Sequence, residues 1–386
     1  MQPPHILFIS SWYPNRENAS HGIFNRAFAR AASLHSKVSV LHVMADDSVK
    51  HGFNTQLIDD GEIFTVYVSY PASRTPAGKL LQYRRRLKAA EIGYNQILQR
   101  RGKPRLIQLN VVLPAGIAAH ALSKQHNIPL IINECWTGYE PLDGRYKGWL
   151  YKKLTKKIVA AAQCIIPVTS YLKDLMQKND LNGNYEIVPN VIDTEIFKPE
   201  KFPDRKNLRF IHISALDDAQ KNVSGILQAF ILAKKHLPDS ELVIAGDGSA
   251  RKILQQKAAT LVKDGSIIFK GLLNPSELAA EINKSDALIM FSNYETFCVA
   301  VPEALACGKP VITSNAGGIM SYMNEELGCI VPVGDVNALA GSLIDFPQTQ
   351  KRFDPLKLRQ FVVDNFSVPV VAQKLQTIYS SVLQDR

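Results

Sequence analysis

Short apolar runs alternate with longer stretches of helical periodicity along nearly the whole chain. From His5 the runs HILFIS, VSVLHV, LIQLNVV, PLIIN and CIIPVTS read as buried strands, while GIFNRAFARAASLH and AGIAAHALSKQH between them carry apolar residues at helical spacing. Strands separated by crossover helices form a parallel sheet covered on both faces. The alternation breaks over residues 185–210, YEIVPNVIDTEIFKPEKFPDRKNLRF, where Pro189, Pro199, Pro203 and several charges mark a linker. It then resumes with LRFIHIS, ELVIAG, SIIFKG, ALIMFS, PVITS and CIVPVG as strands. Helices fall around VSGILQAFILAKKH, after Ala250, and in SELAAEINKS and PEALACG. The expected fold is α/β: two Rossmann-like doubly wound parallel-sheet domains, 1–196 and 197–366, facing across a cleft at the carboxyl ends of their sheets, where such folds bind ligands.

Composition fits this reading. A chain of 386 residues, 46% hydrophobic and 21% charged, is globular and too long for one core. The first apolar run, Ile6 to Ile9, lacks a preceding basic region and reads as a strand rather than a signal peptide. The stretch LIQLNVVLPAGIAAHAL is broken by Gln108, Asn110, Pro114 and His120, so it is not a spanning helix, and a cytoplasmic location is expected. Five cysteines without a CxxC pair fit neither a disulfide framework nor a structural zinc site.

The net charge of +10 is unevenly placed. Residues 1–199 hold 25 Lys+Arg and 15 Asp+Glu, and the totals of 45 and 35 leave 20 of each for the remainder. Within the first half, residues 74–105 carry ten basic residues and one acid, Glu91. So lopsided a segment points to an anionic partner, and with no nucleic-acid-binding signature beside it the expected partner is a membrane or a lipid-linked substrate rather than nucleic acid. In it Leu80, Leu81, Leu87, Ile92 and Tyr94 read as an apolar stripe beside Arg84, Arg85 and Arg86, the pattern of a helix lying on a membrane surface.

The second half carries the candidate chemistry. In GDGSAR, Gly246 and Gly248 stand where a strand turns into a helix, without the full spacing of a dinucleotide fingerprint. Lys221 and Asn222 fall in a loop after a strand, where a lysine reaches a diphosphate. In ALIMFSNYETFCVAVPEALACG, Glu295 projects from the sheet's carboxyl edge before a helix beginning at Thr296 or later, and the amides of Phe297, Cys298 and Val299 offer a phosphate cradle. Glu303, further along the same helix, is placed to bind a ribose hydroxyl pair. The structural alternative for the two glutamates is a helix-dipole carboxylate and a surface residue.

These segments together resemble the retaining glycosyltransferases of family 4, which have the two-domain GT-B fold. ETFCVAVPEALACGKPVITSNAGG is similar to that family's paired-glutamate signature and trailing glycine pair, EIVPNVIDTEIFKP to its linker strand, AQKNVSGILQAF to its lysine loop and ELVIAGDGSAR to its glycine turn. IIFKGLLNPSELAAEINKSDALIMFSNYE, which contains Leu272, resembles its base-binding segment, and NFSVPVVAQKLQTIYSSVL its C-terminal helix, 367–386, which returns to the first domain. The resemblance implies transfer of a sugar from a nucleotide-diphosphate donor with retention of configuration, without a metal or other cofactor. The acceptor it implies is a saccharide or lipid-linked saccharide, as in cell-surface polysaccharide synthesis. It further implies that Lys221 binds the diphosphate, Glu295 a sugar hydroxyl and Glu303 the ribose, and that Gly22 lets the first loop approach donor and acceptor.

Three positions depart from the family pattern. Ser214-Ala215 replaces a glycine-arginine pair, Cys298 stands where a glycine is frequent, and ECWTGY puts Cys135, flanked by Glu134 and Trp136, where a histidine often contacts the sugar. A sugar-nucleotide epimerase of the same fold and a nucleotide-sugar-binding protein without turnover stay open as alternatives. A metal-dependent site at Asp46-Asp47 or Asp217-Asp218 fits poorly, since neither pair has an intervening residue.

Overall fold

The computed structural model describes residues 3–16, 21–73, 75–203, 205 and 207–384. It divides into two compact units, Met1–Val191 with Val368–Arg386, and Ile192–Ser367. The first boundary lies five residues before the expected 196/197.

The first unit is built on seven strands: β1 (His5–Ser10), β2 (Lys37–Asp46), β3 (Asn54–Asp59), β4 (Ile63–Pro71), β5 (Leu106–Asn110), β6 (Leu130–Glu134) and β7 (Cys164–Pro167). Their order is β3-β4-β2-β1-β5-β6-β7, and all pairs are parallel except β3 with β4. Every residue of β1 is buried, as a central strand covered by helices on both faces demands. The order reverses at β1, which pairs with β2 on one side and β5 on the other, so the loops after β1 and β5 flank a switch point.

The β3–β4 hairpin is absent from the sequence reading. Its signal is the turn DDG, where Asp59 Oδ1 accepts from the Gly61 amide and Asp60 Oδ1 from those of Glu62 and Ile63. The helix Pro76–Arg101 packs on β4 and β2. That contact overturns the expected membrane-facing stripe: Tyr94 is fully buried and stacks on His126 with centroids 4.2 Å apart, Ile92 and Leu87 are half-buried, only Leu81 is open, and the Leu80 side chain lies outside the described residues.

The final helix, Val368–Gln384, belongs to this unit and lies against the helix Ile23–Ser33. Its buried Tyr379 hydroxyl donates to Gln108 Oε1 on β5 at 2.5 Å.

The second unit holds β8 (Arg209–Ile213), β9 (Glu241–Ala245), β10 (Ile267–Gly271), β11 (Ala287–Met290), β12 (Val311–Ser314) and β13 (Gly328–Val331). The sheet is wholly parallel, in the order β10-β9-β8-β11-β12-β13, with its reversal between β8 and β11. Those two strands pair only at Ala287–Phe210 and Leu288–Ile211. Beyond the ladder the His212 side chain bridges them: its Nδ1–H donates to the Ile289 carbonyl at 2.9 Å, which leaves Nε2 to accept from Ser214 Oγ at 2.8 Å. Burial lowers the His212 pKa to about 4, so the ring is neutral. The strands therefore part at their carboxyl ends around a fixed, uncharged spacer. Arg359 gathers the carbonyls of Thr194, Phe197 and Ala306, which fastens the start of the unit to its body.

Tyr379→Phe removes the donor facing Gln108 without changing shape. A buried acceptor left unpaired costs about 1–3 kcal/mol, so the urea midpoint of the variant should fall, and an unchanged midpoint would show that the bond contributes nothing.

Candidate active site

Both loops at the second unit's switch point are fixed by local hydrogen bonding. After β8 the chain forms a short helix, Asp218–Lys221, whose N-cap Asp217 accepts from the Ala219 amide. Asn222, in the left-handed region at φ 48°, then caps the helix Val223–Lys234 through Oδ1 to the Gly225 amide, 3.2 Å away. Asp218 accepts from both the amide and hydroxyl of Ser224. The aspartate pair is thus spent on turns, and the Asn222 side chain is a cap. After β11, Asn293 donates its amide to the Gln220 carbonyl at 2.8 Å and its side chain to the Ala219 carbonyl at 2.9 Å, tying the two loops together.

Across this junction Lys221 Nζ lies 2.5 Å from Glu295 Oε1. The Lys221 side chain is 15% exposed and that of Glu295 4%. Burial pulls the lysine pKa down, but the Glu295 carboxylate outweighs it and the ammonium is held above its ordinary value. Ser292 Oγ donates to the same carboxylate oxygen at 2.8 Å, and Ser314 Oγ secures the Ser292 carbonyl. Ser292 went unnoticed in the sequence, since a serine at a strand end has no distinguishing spacing.

The backbone after Glu295 has little freedom. Gly318 donates its amide to the Glu295 carbonyl, and a Cβ there would sit 2.1 Å from the Thr296 oxygen. That close approach is the physical reason for glycine at position 318. Cys298, where the resembled pattern often has a glycine, adopts φ 65°, and Tyr322 Oη donates to the carbonyls of Phe297 and Cys298. Because of that left-handed residue the helix starts only at Ala300 and runs to Ala306, with the amides of Phe297 to Val299 ahead of it. The Phe297 ring packs on Tyr322 and Phe366 and its carbonyl accepts from Tyr322, so only its backbone amide is left for a ligand. Burial pushes the Cys298 thiol up, and it stays protonated.

Gly246, at φ 124°, fits against β8's exit: a Cβ would lie 1.8 Å from the Ser214 oxygen. Leu272 follows β10 and is 68% exposed. Among the described residues the half-buried Glu303 carboxylate has no hydrogen-bond partner, and burial raises its pKa to about 8.

In the first unit Gly22 caps the helix Ile23–Ser33 at φ 68°, in contact with the Trp12 backbone, whose carbonyl also accepts from Asn25. Glu134 is fully buried at the end of β6. It accepts from the amides of Val112, Cys135 and Trp136 and from the Tyr139 hydroxyl, with burial raising its pKa against those bonds. It stitches two loops and has no face for a sugar. Val111, at the end of β5, is held at φ 65° by bonds to Asn133 and Ser11, an unusual conformation for a β-branched residue that the sequence does not announce. Burial drives the Cys135 thiol well above its ordinary pKa, and the half-buried Trp136 leans on Tyr139, Tyr146 and Tyr151. The arginine triplet does not share a face: Arg84 is exposed, Arg85 donates to the Pro71 carbonyl at 3.0 Å, and Arg86 is half-buried and acts on the interior His42.

The Glu303 shift has a thermodynamic sign. Folding raises this pKa from 4.5 to about 8, so its stabilising contribution is fully present below 4.5 and lost as pH rises through 8. His5, His42 and His212, each lowered from 6.5 to about 4 chiefly by burial, act oppositely and are spent above 6.5. Between pH 6.5 and 8 the unfolding free energy of the wild type should therefore fall more steeply than that of Glu303→Gln. Equal slopes would place Glu303 in a solvated, unshifted state.

Residues 37–196 match the family described as Glycosyltransferase Family 4, and residues 193–357 match Glycosyl transferases group 1. Glycogen synthase of Mycobacterium tuberculosis is 26% identical over 275 residues, 68% of this chain and 65% of that protein, so the match spans less than two thirds of the relative's length. Sucrose-phosphate synthase from Thermosynechococcus elongatus superposes with a TM-score of 0.80 at 18% identity, over 100% of both chains. Anabaena HepE, in complex with UDP and glucose, gives 0.73 at 16% identity over 98% of this chain and 100% of its own. With one family matching each sheet, in order and over most of its length, the chain belongs to the family 4, group 1 glycosyltransferases, and its two units have the architecture of the GT-B fold.

Proposed function

We propose that this protein transfers a sugar, with retention of configuration and without a metal, from a nucleotide-diphosphate donor to a saccharide or lipid-linked saccharide in the assembly of a cell-surface polysaccharide. The observation that carries the reading is the Lys221–Glu295 pair, two oppositely charged groups at a sheet's switch point with their charges largely withdrawn from water. The strengthened ammonium of Lys221 neutralises the diphosphate, whose charge grows as the bond to the sugar breaks. Glu295, steadied by Ser292, accepts a hydrogen bond from a sugar hydroxyl. The amides of Phe297 to Val299 line the phosphates, and Gly246 and Leu272 border the nucleotide. A ribose hydroxyl pair supplies Glu303 with the donors it lacks, which favours its ionised form on binding. In the first unit the resemblance assigns Gly22 to binding of the donor phosphates, and Cys135 and Trp136 to contact with a sugar or the acceptor. HepE's complex with UDP and glucose is consistent with this class of donor. Transfer takes place in the cytoplasm, on the inner face of the membrane where the acceptor is lipid-linked.

Lys221→Ala and Glu295→Ala should each lower turnover by about 100-fold or more, the loss of one transition-state electrostatic contact. Chelation by EDTA should leave wild-type turnover unchanged. Analysis of products from a labelled donor decides the reaction: a glycoside with the donor's anomeric configuration supports the proposal, whereas an epimer or no product overturns it. Wild-type turnover in both variants would remove the pair from the site.

A further inference from the structure

The first unit carries an apolar and basic face that its own fold leaves uncovered, on the segment between β6 and β7. Trp149 is 75% exposed, Leu142 71% and Leu150 55%. The same segment holds an aromatic cluster, in which the buried Tyr146 lies 5.0 Å from Tyr139, also buried, and 5.9 Å from Tyr151 between ring centroids. The helix Trp149–Val159 turns Thr155, Ile158 and Val159 inward, which leaves Trp149, Leu150 and the lysines at 152, 153, 156 and 157 in solvent. No acidic residue occurs from Arg145 to Val159. The carboxylates around this stretch are engaged: Asp143 by Arg145, Asp180 by Lys156, and the buried Glu134 and Glu140 by the hydroxyls of Tyr139 and Tyr171. Lys152 lies over the Tyr146 ring and Lys153 over that of Trp149, so ammonium groups and apolar side chains share one surface.

We infer that this face docks on an anionic phospholipid bilayer. An indole favours the headgroup boundary, leucines beside it enter the acyl region, and the lysines meet the lipid phosphates. Charge selects this occupant: a protein partner would have to offer an acidic surface with an apolar centre, whereas an anionic bilayer offers both layers at once. The face also supersedes the arginine triplet, in which Arg85 is bonded to the Pro71 carbonyl of its own unit and Arg86 is half-buried. The inference goes beyond the transfer reading and does not depend on it, although it would bring a lipid-linked acceptor to the same sheet edge as β6's exit.

The test uses full-length protein floated with vesicles of phosphatidylglycerol and phosphatidylcholine in equal parts, or of phosphatidylcholine alone, at low and high salt. The wild type should float with the anionic vesicles only, less so at high salt, with its fluorescence quenched by brominated acyl chains. Leu142→Ser with Trp149→Ser should weaken partitioning by about tenfold or more and abolish most of the quenching. Glutamine at all four lysines should weaken it by about tenfold or more, and glutamine at Arg84, Arg85 and Arg86 by less. Since every altered side chain in the first two variants is exposed, their thermal melts should match the wild type. A wild type that stays in solution, or variants that float as it does, would overturn the inference. So would a wild-type dimer that the Trp149 variant dissociates, because the face would then be an interface between copies. Binding of UDP, GDP and ADP measured in parallel should be the same in all these proteins. Absence of binding for all three in the wild type would count against the transfer reading and leave the docking result standing.

Discussion

A lysine ammonium held against a glutamate carboxylate, where β8 and β11 part, is the interaction on which the rest of the second unit is arranged. Withdrawing two charges from water is costly, and their attraction offsets that cost only where geometry and further hydrogen bonds are good. The surroundings meet that requirement from several directions. His212 spaces the strands without adding charge, Ser292 bonds the carboxylate, and Asn293 joins the two loops so that neither group can move independently. A pair so supported is preorganised, which is the condition under which a cation stabilises developing charge without rearranging first.

Backbone geometry carries as much of the site as side chains do. Gly318 and Gly246 stand where a neighbouring carbonyl occupies the position of a Cβ, and both lie beside the loops that carry the charges. Cys298 accepts a left-handed conformation in a segment whose carbonyls are already committed to Tyr322, and that single residue delays the following helix until Ala300. With Ala215 in place of an arginine, Lys221 is the one cation between Ser214 and Asn222, so in the proposed reading the amides around Cys298 carry more of the contact with the diphosphate.

Much of this was legible in the sequence because parallel strands buried on both faces leave uninterrupted apolar runs, and βαβ connectivity then places loop residues at the carboxyl edge. The β3–β4 hairpin was not, since its signal is a turn and a weak alternation rather than a run. The apolar residues of the basic helix misled for a related reason. Residues such as Tyr94 at helical spacing face either lipid or their own sheet, and only the position of β2 and β4 decides which. Glu134 enters as a sugar contact only because it flanks Cys135, where the resemblance implies one, whereas three amides and a phenol close around its carboxylate. Asn222 reads as chemistry in the sequence and is a helix cap in the structure, a role the same residue type fills just as readily.

Calorimetric titration of UDP, GDP and ADP into the wild type and into Lys221→Met at two salt concentrations bears most directly on the central claim. If the buried pair is the diphosphate site, at least one of the three binds the wild type, salt weakens it, and the variant loses about tenfold or more in affinity for it, as expected for a charge-assisted contact worth about 1.5–3 kcal/mol. Equal affinity in the two proteins would contradict the account and reduce the Lys221–Glu295 pair to a structural ion pair.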